Sequence, residues 1–346
     1  MTTTRASAGI SHSWALGGLL LFGVLGAAAA YAWHARSAAR LDGMQEPLVI
    51  AANTEYVGTC PITIANERGY FREEGISATV QQYNSGKASL QAALDGKADL
   101  ATTADIPVML AAMSDIPVAV IATFFKTEHD HGIVGRRDRG IGTPASLKGK
   151  RIGVTIGTSG HFVLDAFLNR QRLSAADVSL LNLRPDQFAG AMARGEIDAV
   201  AGWEPFLGKL LADLGENGVV FYGEEIYEIP YNLAGRREYV ERHPALMKKA
   251  LRAVAKGVQF CRAEPEAART IMGRVLKVDT EAWKANWPSY RFKLALDQGL
   301  ILALEDESRW AMANKLVPAR ATPNYLNYIY LDALISVAPT AVGVIH

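Results

Sequence analysis

The sequence predicts an α/β protein made of two similar lobes. Strand-like and helix-like segments alternate from residue 48 to residue 222, which is typical of parallel sheets covered by helices. An internal repeat supports this: when the chain is shifted by 99 positions against itself, several short motifs coincide. The 346 residues are enough for about two domains.

The alternation assigns each lobe its own set of elements. The first set has strands at 48–52, 76–81, 99–103 and 118–124, with helices at 61–74, 87–94 and 106–113. The second set has strands at 151–155, 178–183, 199–202 and 219–222, with helices at 161–172, 187–194 and 206–214. Beyond Glu238 the pattern is mainly helical.

The repeat relates equivalent points of the two strand orders. Three matches share the register: Gly58-Thr59-Cys60 with Gly157-Thr158-Ser159, Gly96-Lys97-Ala98-Asp99 with Gly195-Glu196-Ile197-Asp198, and Asp105 with Glu204. Ligands of open α/β sheets bind at the carboxyl ends of the strands. Two such lobes facing each other would form a hinged clamp around a small molecule.

The residues expected to line this crevice follow the predicted strands. They are Thr59, Cys60, Ser85, Gly86 and Asp105 from the first lobe, and Gly157, Thr158, Ser159, His161, Trp203 and Glu204 from the second. Arg184 also follows a strand and is a further candidate partner for an anion, although a solvated arginine is commoner.

Two kinds of chemistry are combined among these candidates. The Gly-Thr-Ser turn at 157–159 opens a helix, so its N–H groups and hydroxyls can receive an anionic oxygen; alternatively Ser159 only caps the helix. Trp203 can stack on a ligand or pack in the core. Glu204 and Asp105 can accept from an ammonium group or stabilise the helices that follow them. Together these groups suit a zwitterion better than a plain anion.

The N-terminus predicts export. Arg5 precedes an uncharged run at 14–33, and small residues at 28–32 offer cleavage sites. The run is also close to the length that spans a bilayer. Residues 1–41 are therefore expected to be either a cleaved signal peptide or a retained membrane anchor with a spacer, and both alternatives remain open.

Composition excludes several classes of function. Formal net charge is +1 with basic residues spread along the chain, which does not fit a nucleic-acid binder. Cys60 and Cys261 are too far apart for a metal knuckle; a single long-range disulfide is conceivable in an oxidising compartment but is not favoured. His129, Asp130 and His131 have no evident third metal ligand.

An enzyme alternative would use His161 to activate Ser159, but no G-x-S-x-G motif surrounds that serine and no acid is evidently placed to orient the imidazole. We therefore expect no catalytic residue, metal or cofactor.

Several ordered motifs resemble the nitrate/sulfonate/taurine class of ABC substrate-binding proteins, a family that also includes thiamine-precursor binders. They span residues 48–335 without any single decisive motif. They are Leu-Lys-Gly-Lys-Arg-Ile-Gly-Val at 147–154, Gly-Glu-Ile-Asp-Ala at 195–199, Trp-Glu-Pro at 203–205, the segments 61–65, 67–71 and 74–76, Ala93-Leu94, and the return segment at 237–244.

The resemblance implies a type II periplasmic-binding-protein fold. Lobe 1 would be residues 48–131 plus 231–346, and lobe 2 residues 132–230. It also implies a monomeric extracytoplasmic receptor that captures a small anionic or zwitterionic solute for ABC permease and ATPase subunits, and that contacts the membrane through its N-terminal segment if this is uncleaved.

The alternatives are thiamine-pyrimidine precursor binding, a pyrimidine-synthase-like enzyme, and a tethered sensory module. The cysteine-rich segment of that synthase is absent here.

Overall fold

A computed structural model describes residues 45–223, 226–277 and 280–345. The predicted signal peptide or anchor at 1–41 lies outside these residues. Within the described ranges, no helix combines the length and the apolar character needed to cross a membrane.

The strands of the described chain form two separate mixed sheets. In chain order they are β1 (Glu46–Asn53), β2 (Ile76–Tyr83), β3 (Leu100–Ala104), β4 (Val118–Thr127), β5 (His131–Arg136), β6 (Arg151–Val154), β7 (Ser179–Asn182), β8 (Ala199–Trp203), β9 (Gly218–Tyr222), β10 (Ile229–Arg236), β11 (Arg291–Asp297) and β12 (Val342–Gly343). The first sheet has the order β12-β11-β4-β10-β3-β1-β2, and the second β7-β6-β8-β5-β9.

The α-helices cover both sheets and link their strands. In chain order they are α1 (Cys60–Glu67), α2 (Tyr70–Glu73), α3 (Gly86–Leu94), α4 (Asp105–Met113), α5 (Ser159–Arg170), α6 (Phe188–Ala193), α7 (Phe206–Leu214), α8 (Arg237–Arg242), α9 (Pro244–Ala263), α10 (Pro265–Leu276), α11 (Glu281–Asn286), α12 (Gln298–Ala313) and α13 (Asp332–Val337). Short 3-10 turns include Val57–Thr59 before α1 and Pro185–Gln187 before α6.

The chain passes from one sheet to the other twice. It leaves the first sheet after β4, builds β5 to β9, and returns as β10, which pairs antiparallel with both β3 and β4. In the second sheet β5 pairs antiparallel with β8 and β9, whereas β6 pairs parallel with β7 and β8. The first set of strands thus surrounds the second in sequence, and each sheet has its own hydrophobic core.

The internal repeat is visible in the element boundaries. Helices α1 and α5 begin 99 positions apart, and so do strands β3 and β8. Both strands are buried along their whole length, which is expected of central strands covered on two faces. Asp99 and Asp198 also act alike. The Asp99 carboxylate accepts a hydrogen bond from the backbone N–H of Val49 in β1 at 2.8 Å. The Asp198 carboxylate accepts one from the backbone N–H of Arg151 in β6, the equivalent strand, at 3.0 Å.

Two features of the first lobe differ from the sequence prediction. The helix predicted at 61–74 is broken into α1 and α2, because Gly69 adopts a left-handed conformation with φ of 74°. Strands β10 and β11 lie in segments that were not predicted as strands.

The disulfide that the sequence did not favour is present. Cys60 of α1 is bonded to Cys261 of α9, across a sequence separation of 201. These helices pack closely: a Cβ atom on Gly257 would lie 2.1 Å from the carbonyl oxygen of Pro61. A spacing of this length carries no local signal, so the pairing becomes apparent only once the two helices are placed together.

Candidate functional site

A small cavity lies between the loops of the two sheets. Its free volume is about 20 Å³, close to the space that one water molecule needs. Residues of both sheets and of their loops line it: Asn53, Tyr56, Gly86, Lys87, Ala104, Pro107, Ile229 and Tyr231 on the side of the first sheet, and His131, Thr158, Ser159 and Trp203 on the side of the second. Several of these residues stand at strand carboxyl ends or in the turns that follow, where the sequence placed the crevice.

The turn before α5 has the form that the sequence predicted. Gly157 adopts φ of 77°, Thr158 is the extended N-cap residue, and Ser159 is the first residue of the helix. The hydroxyl of Thr158 donates to the Thr155 carbonyl at 2.7 Å. No side chain caps the N-terminus of this helix. Its positive end therefore points toward the cavity at Thr158 and Ser159.

Trp203 supplies an unused hydrogen-bond donor. The residue ends β8 and is 5% exposed, and its indole Nε1 has no hydrogen-bond partner. The Trp203 ring packs on His131 with 5.9 Å between ring centroids, and on Phe206 at 6.0 Å. A buried N–H without a partner costs free energy, so Nε1 is a strong candidate contact for a ligand oxygen.

Glu204 does not line this cavity. Its carboxylate accepts from the Gly208 N–H at 2.9 Å and from the Tyr222 hydroxyl at 3.0 Å, so it stabilises the start of α7. Burial raises the pKa of Glu204. Of the two roles that the sequence left open for this residue, the structure places it in the helix-stabilising one.

Asp105 follows the lining residue Ala104 in the chain but does not itself line the cavity. It is fully buried, and its Oδ1 accepts from the Ile106 N–H at 2.9 Å. Burial raises the pKa of Asp105 to about 7. Burial and the adjacent Asp105 charge also raise the pKa of Glu307 well above its usual range, and Glu307 accepts a hydrogen bond from Tyr227. Burial therefore favours the protonated form of both carboxyl groups.

Other candidates from the first lobe have supporting positions. The Thr59 hydroxyl donates to the carbonyls of Asn53 at 2.8 Å and Tyr56 at 2.5 Å, so it shapes the turn that carries two cavity residues. Ser85 caps α3 by accepting from Ala88 N at 3.2 Å, whereas Gly86 lines the cavity itself. The expectation that Cys60 faces the crevice needs correction, because Cys60 is fully buried in the disulfide.

Two further candidates of the second lobe lie away from the cavity lining. His161 packs edge-on against Trp310 of α12, with ring centroids 5.1 Å apart, and burial lowers its pKa. Arg184 is solvent-exposed and pairs with Asp186 at 3.1 Å. Gly157 adjoins the cavity, because a Cβ atom on it would lie 3.2 Å from Lys87 Nζ.

Eight lining residues were missing from the sequence-based selection: Asn53, Tyr56, Lys87, Ala104, Pro107, His131, Ile229 and Tyr231. Asn53 ends β1, so the rule about strand ends could have found it. Tyr231 lies on β10, which the sequence did not identify as a strand.

His131 was weighed only as a metal ligand. Among the described residues, no three His, Cys, Asp or Glu side chains form a metal-binding group.

The sequence model described as NMT1/THI5 like matches residues 58–268. This match covers more than half of the chain. The protein belongs to the NMT1/THI5-like family. The family membership agrees with the resemblance seen in the sequence, and that prediction is confirmed.

Curated relatives of this family member are named as binding proteins. One from Brucella abortus is 27% identical over 239 residues, which cover 67% of this chain and 72% of the relative. One from Bacillus subtilis, named as an aliphatic sulfonates-binding protein, is 28% identical over 63% of this chain and 67% of its own length. The taurine-binding periplasmic protein of Escherichia coli is 28% identical over 36% of this chain and 40% of its own length.

Solved structures show the same fold. The alkanesulfonate-binding protein of Xanthomonas axonopodis, bound to MOPS, superimposes with a TM-score of 0.73 at 19% identity, covering 82% of this chain and 98% of the other. The desulfurization enzyme DSZB superimposes with a TM-score of 0.60 at 18% identity, covering 86% and 99%. The family member therefore has an α/β periplasmic-binding-protein fold with two mixed sheets, as predicted, and this fold also occurs in an enzyme.

Proposed function

We propose that this chain is the solute-binding component of an ABC importer and that it holds a small zwitterionic or anionic organic solute, with aminosulfonates as the favoured class. The main observation is the unpartnered indole N–H of Trp203, a residue that lines the same cavity as Thr158 and Ser159 at the start of α5. Relatives that are named for sulfonates and taurine support this class.

The second-lobe side of the cavity suits the anionic group of such a solute. The start of α5 favours negative charge, and Thr158 and Ser159 stand at that end of the helix. Trp203 Nε1 can add one donor to a sulfonate oxygen. A hydrogen bond to a charged group contributes about 1.5–3 kcal/mol. These donors replace the water that an anion loses on entry.

The surroundings of the cavity suit a positive group at the other end. Asn53 Oδ1 is a buried acceptor that has no partner. A buried acid, Asp105, also follows the lining residue Ala104 on this side. Buried carboxyl groups disfavour a second negative charge nearby. A solute with both an ammonium and a sulfonate satisfies both sides.

Capture of such a solute requires the lobes to separate, because a cavity of about 20 Å³ holds little more than water. We propose the type II arrangement for this movement, with residues 48–131 plus 231–346 as lobe 1 and 132–230 as lobe 2. The crossings from β4 to β5 and from β9 to β10 would serve as the hinge. The rearrangement would bind the solute without changing it chemically.

The proposed receptor acts outside the cytoplasm. Its disulfide supports an oxidising compartment, where such bonds persist. Residues 1–41 would export it as a signal peptide or hold it at the membrane, and permease and ATPase subunits would be its partners. An alkaline phosphatase fusion placed after Asp42 should be active; an inactive fusion would contradict export.

The ligand class is tested by calorimetry on the purified chain with taurine, ethanesulfonate, ethylammonium, nitrate and an aminopyrimidine. Taurine should bind more tightly than ethanesulfonate, and ethylammonium should bind weakest. Tighter binding of nitrate than of taurine would contradict the zwitterion proposal. A preference for the aminopyrimidine would replace it with a precursor-binding role.

A further inference from the structure

Asp130, His131 and Ser159 form a continuous hydrogen-bonded chain beside the cavity. His131 Nδ1 lies 2.6 Å from Asp130 Oδ1, and His131 Nε2 lies 2.8 Å from Ser159 Oγ. The three side chains are 0%, 3% and 6% exposed, respectively. His131 and Ser159 both line the cavity. In the enzyme alternative raised by the sequence, His161 was the residue that would activate Ser159. In the structure His161 packs on Trp310 instead.

The direction of these hydrogen bonds depends on the tautomer of His131. A carboxylate can only accept, so Asp130 accepts from the Nδ1–H of His131. When the imidazole is neutral with its proton on Nδ1, Nε2 carries a lone pair and can accept the hydroxyl proton of Ser159. A serine whose proton is held by a histidine that an acid orients is the arrangement of an activated nucleophile.

Hydrogen-bond donors for a developing oxyanion lie in the same cavity. Ser159 is the first residue of a 12-residue helix, so backbone N–H groups of the first turn are near its own hydroxyl. The indole N–H of Trp203 is buried and has no partner. Ser159 and Trp203 both line the cavity, so the start of the helix and the indole can contribute donors to one bound group.

We propose that Ser159 is a nucleophile toward small activated acyl esters, with His131 as its base and Asp130 as the residue that positions His131. This activity goes beyond reversible capture of a solute, although both use the same cavity. It also uses a different chemistry from reversible capture, so the two can fail independently.

The reaction balances with water as the co-reactant. Ser159 Oγ attacks the acyl carbon while its proton passes to His131 Nε2. The ester C–O bond then breaks, and the proton moves to the leaving alcohol, which leaves an acyl group on Oγ. Water attacks this acyl group and gives a proton to Nε2. The C–Oγ bond breaks, the acid is released, and Oγ recovers the proton.

Labelling with phenylmethanesulfonyl fluoride tests the proposal, because this reagent transfers its sulfonyl group to an activated serine and releases fluoride. We expect one sulfonyl group per purified full-length chain, mapped to Ser159 by peptide mass spectrometry. Ser159→Ala should abolish labelling. His131→Gln should slow it by at least about 100-fold, which is the usual contribution of a general base. Asp130→Asn should slow it by about tenfold or more.

Ser89→Ala is the matched control, because Ser89 is a buried serine whose hydroxyl donates to the Ser85 carbonyl. It should label like wild type. Wild-type chain that stays unlabelled, or that labels at a serine other than Ser159, would overturn the proposal. So would a folded His131→Gln variant that labels at the wild-type rate, since the network would then be structural.

If His131→Gln does not fold, the proposal can still be tested by the reaction of p-nitrophenyl acetate with the wild-type protein and with Ser159→Ala. A burst of nitrophenol with one acetyl group on Ser159 supports the nucleophile, and its absence overturns it.

Discussion

Lys87 donates a hydrogen bond from its ammonium group to the carbonyl oxygen of Ile156, at 2.7 Å. Lys87 belongs to α3 of the first set of elements, and Ile156 belongs to the turn before α5 of the second. The bond therefore joins the two sides of the cavity at its edge. Burial lowers the pKa of Lys87, which is consistent with a partly dehydrated ammonium. Trp310 makes a second connection, donating to Asp165 at 3.0 Å.

Removal of the Lys87 ammonium should weaken solute binding by favouring the open arrangement. Lys87→Met keeps the aliphatic stem but loses the bond to Ile156. Since the group is partly exposed, we expect a loss of about 1 kcal/mol, or about fivefold in Kd measured by calorimetry with taurine. Lys97→Met is the control, because Lys97 pairs with Asp95 on the exposed surface and should leave Kd unchanged. Equal affinities of all three proteins would contradict this role.

Trp203→Phe should separate the two contributions of the indole. The phenyl ring retains most of the packing on His131 and Phe206 but loses Nε1–H. We expect a Kd for taurine at least about tenfold higher, with the protein still folded. Trp283→Phe provides the comparison, since its buried Nε1 also has no partner but it does not line the cavity. If both variants bind like wild type, the indole donor is not a ligand contact.

Loss of the disulfide should affect stability and spare binding. Its loop spans 201 residues, and cross-links of long loops contribute about 2–5 kcal/mol to the free energy of unfolding. In urea denaturation, we expect the Cys60→Ala/Cys261→Ala double variant to have a free energy of unfolding lower by that amount. Dithiothreitol should not lower the stability of this variant further. Calorimetry should give an unchanged Kd, because neither cysteine lines the cavity. A strong loss of affinity in a folded double variant would contradict this prediction and would indicate that Cys60 contributes to the binding site.

The buried acid pair should make stability fall as pH rises. The folded-state pKa of Asp105 is about 7, above that of an aspartate in the unfolded chain. The folded state thus holds a proton that the unfolded chain has lost between about pH 4 and pH 7, and its stabilisation disappears across that window. Asp105→Asn should therefore stabilise the protein by at least about 1 kcal/mol more at pH 8 than at pH 5.

Chemical denaturation at the two pH values measures this difference. The exposed Asp213→Asn variant serves as the reference, and it should show no such change between pH 5 and pH 8. If Asp105→Asn behaves like Asp213→Asn, the folded state does not raise the pKa of Asp105.

The local signals of the sequence were sufficient for much of this fold. Helix α7 has the predicted bounds, and the Gly-Thr-Ser turn stands at the start of α5 as expected. The 99-residue shift located both α1 and α5, because the same order of strand, turn and helix recurs in each copy. Periodicity and turn residues act over short distances, and these elements depend on little else.

Features that depend on distant pairing could not be predicted in the same way. β10 is a strand because it is inserted between β3 and β4, which precede it by more than 100 positions. The same applies to the disulfide and to the contact of His131 with Ser159, whose separation of 28 residues has no periodic signal. Glu204 was correctly placed after a strand, but the direction of its side chain was decided by Gly208 and Tyr222.

Amide hydrogen exchange with saturating taurine tests most directly that a solute binds between the lobes. The account predicts slower exchange in two groups of peptides at once, one carrying Asn53 and Tyr56 and the other carrying Thr158, Ser159 and Trp203, because both line the same cavity. Peptides of α10, which does not line it, should exchange as in the free protein. Protection confined to one lobe, or located away from these peptides while taurine is bound, would contradict the inter-lobe site.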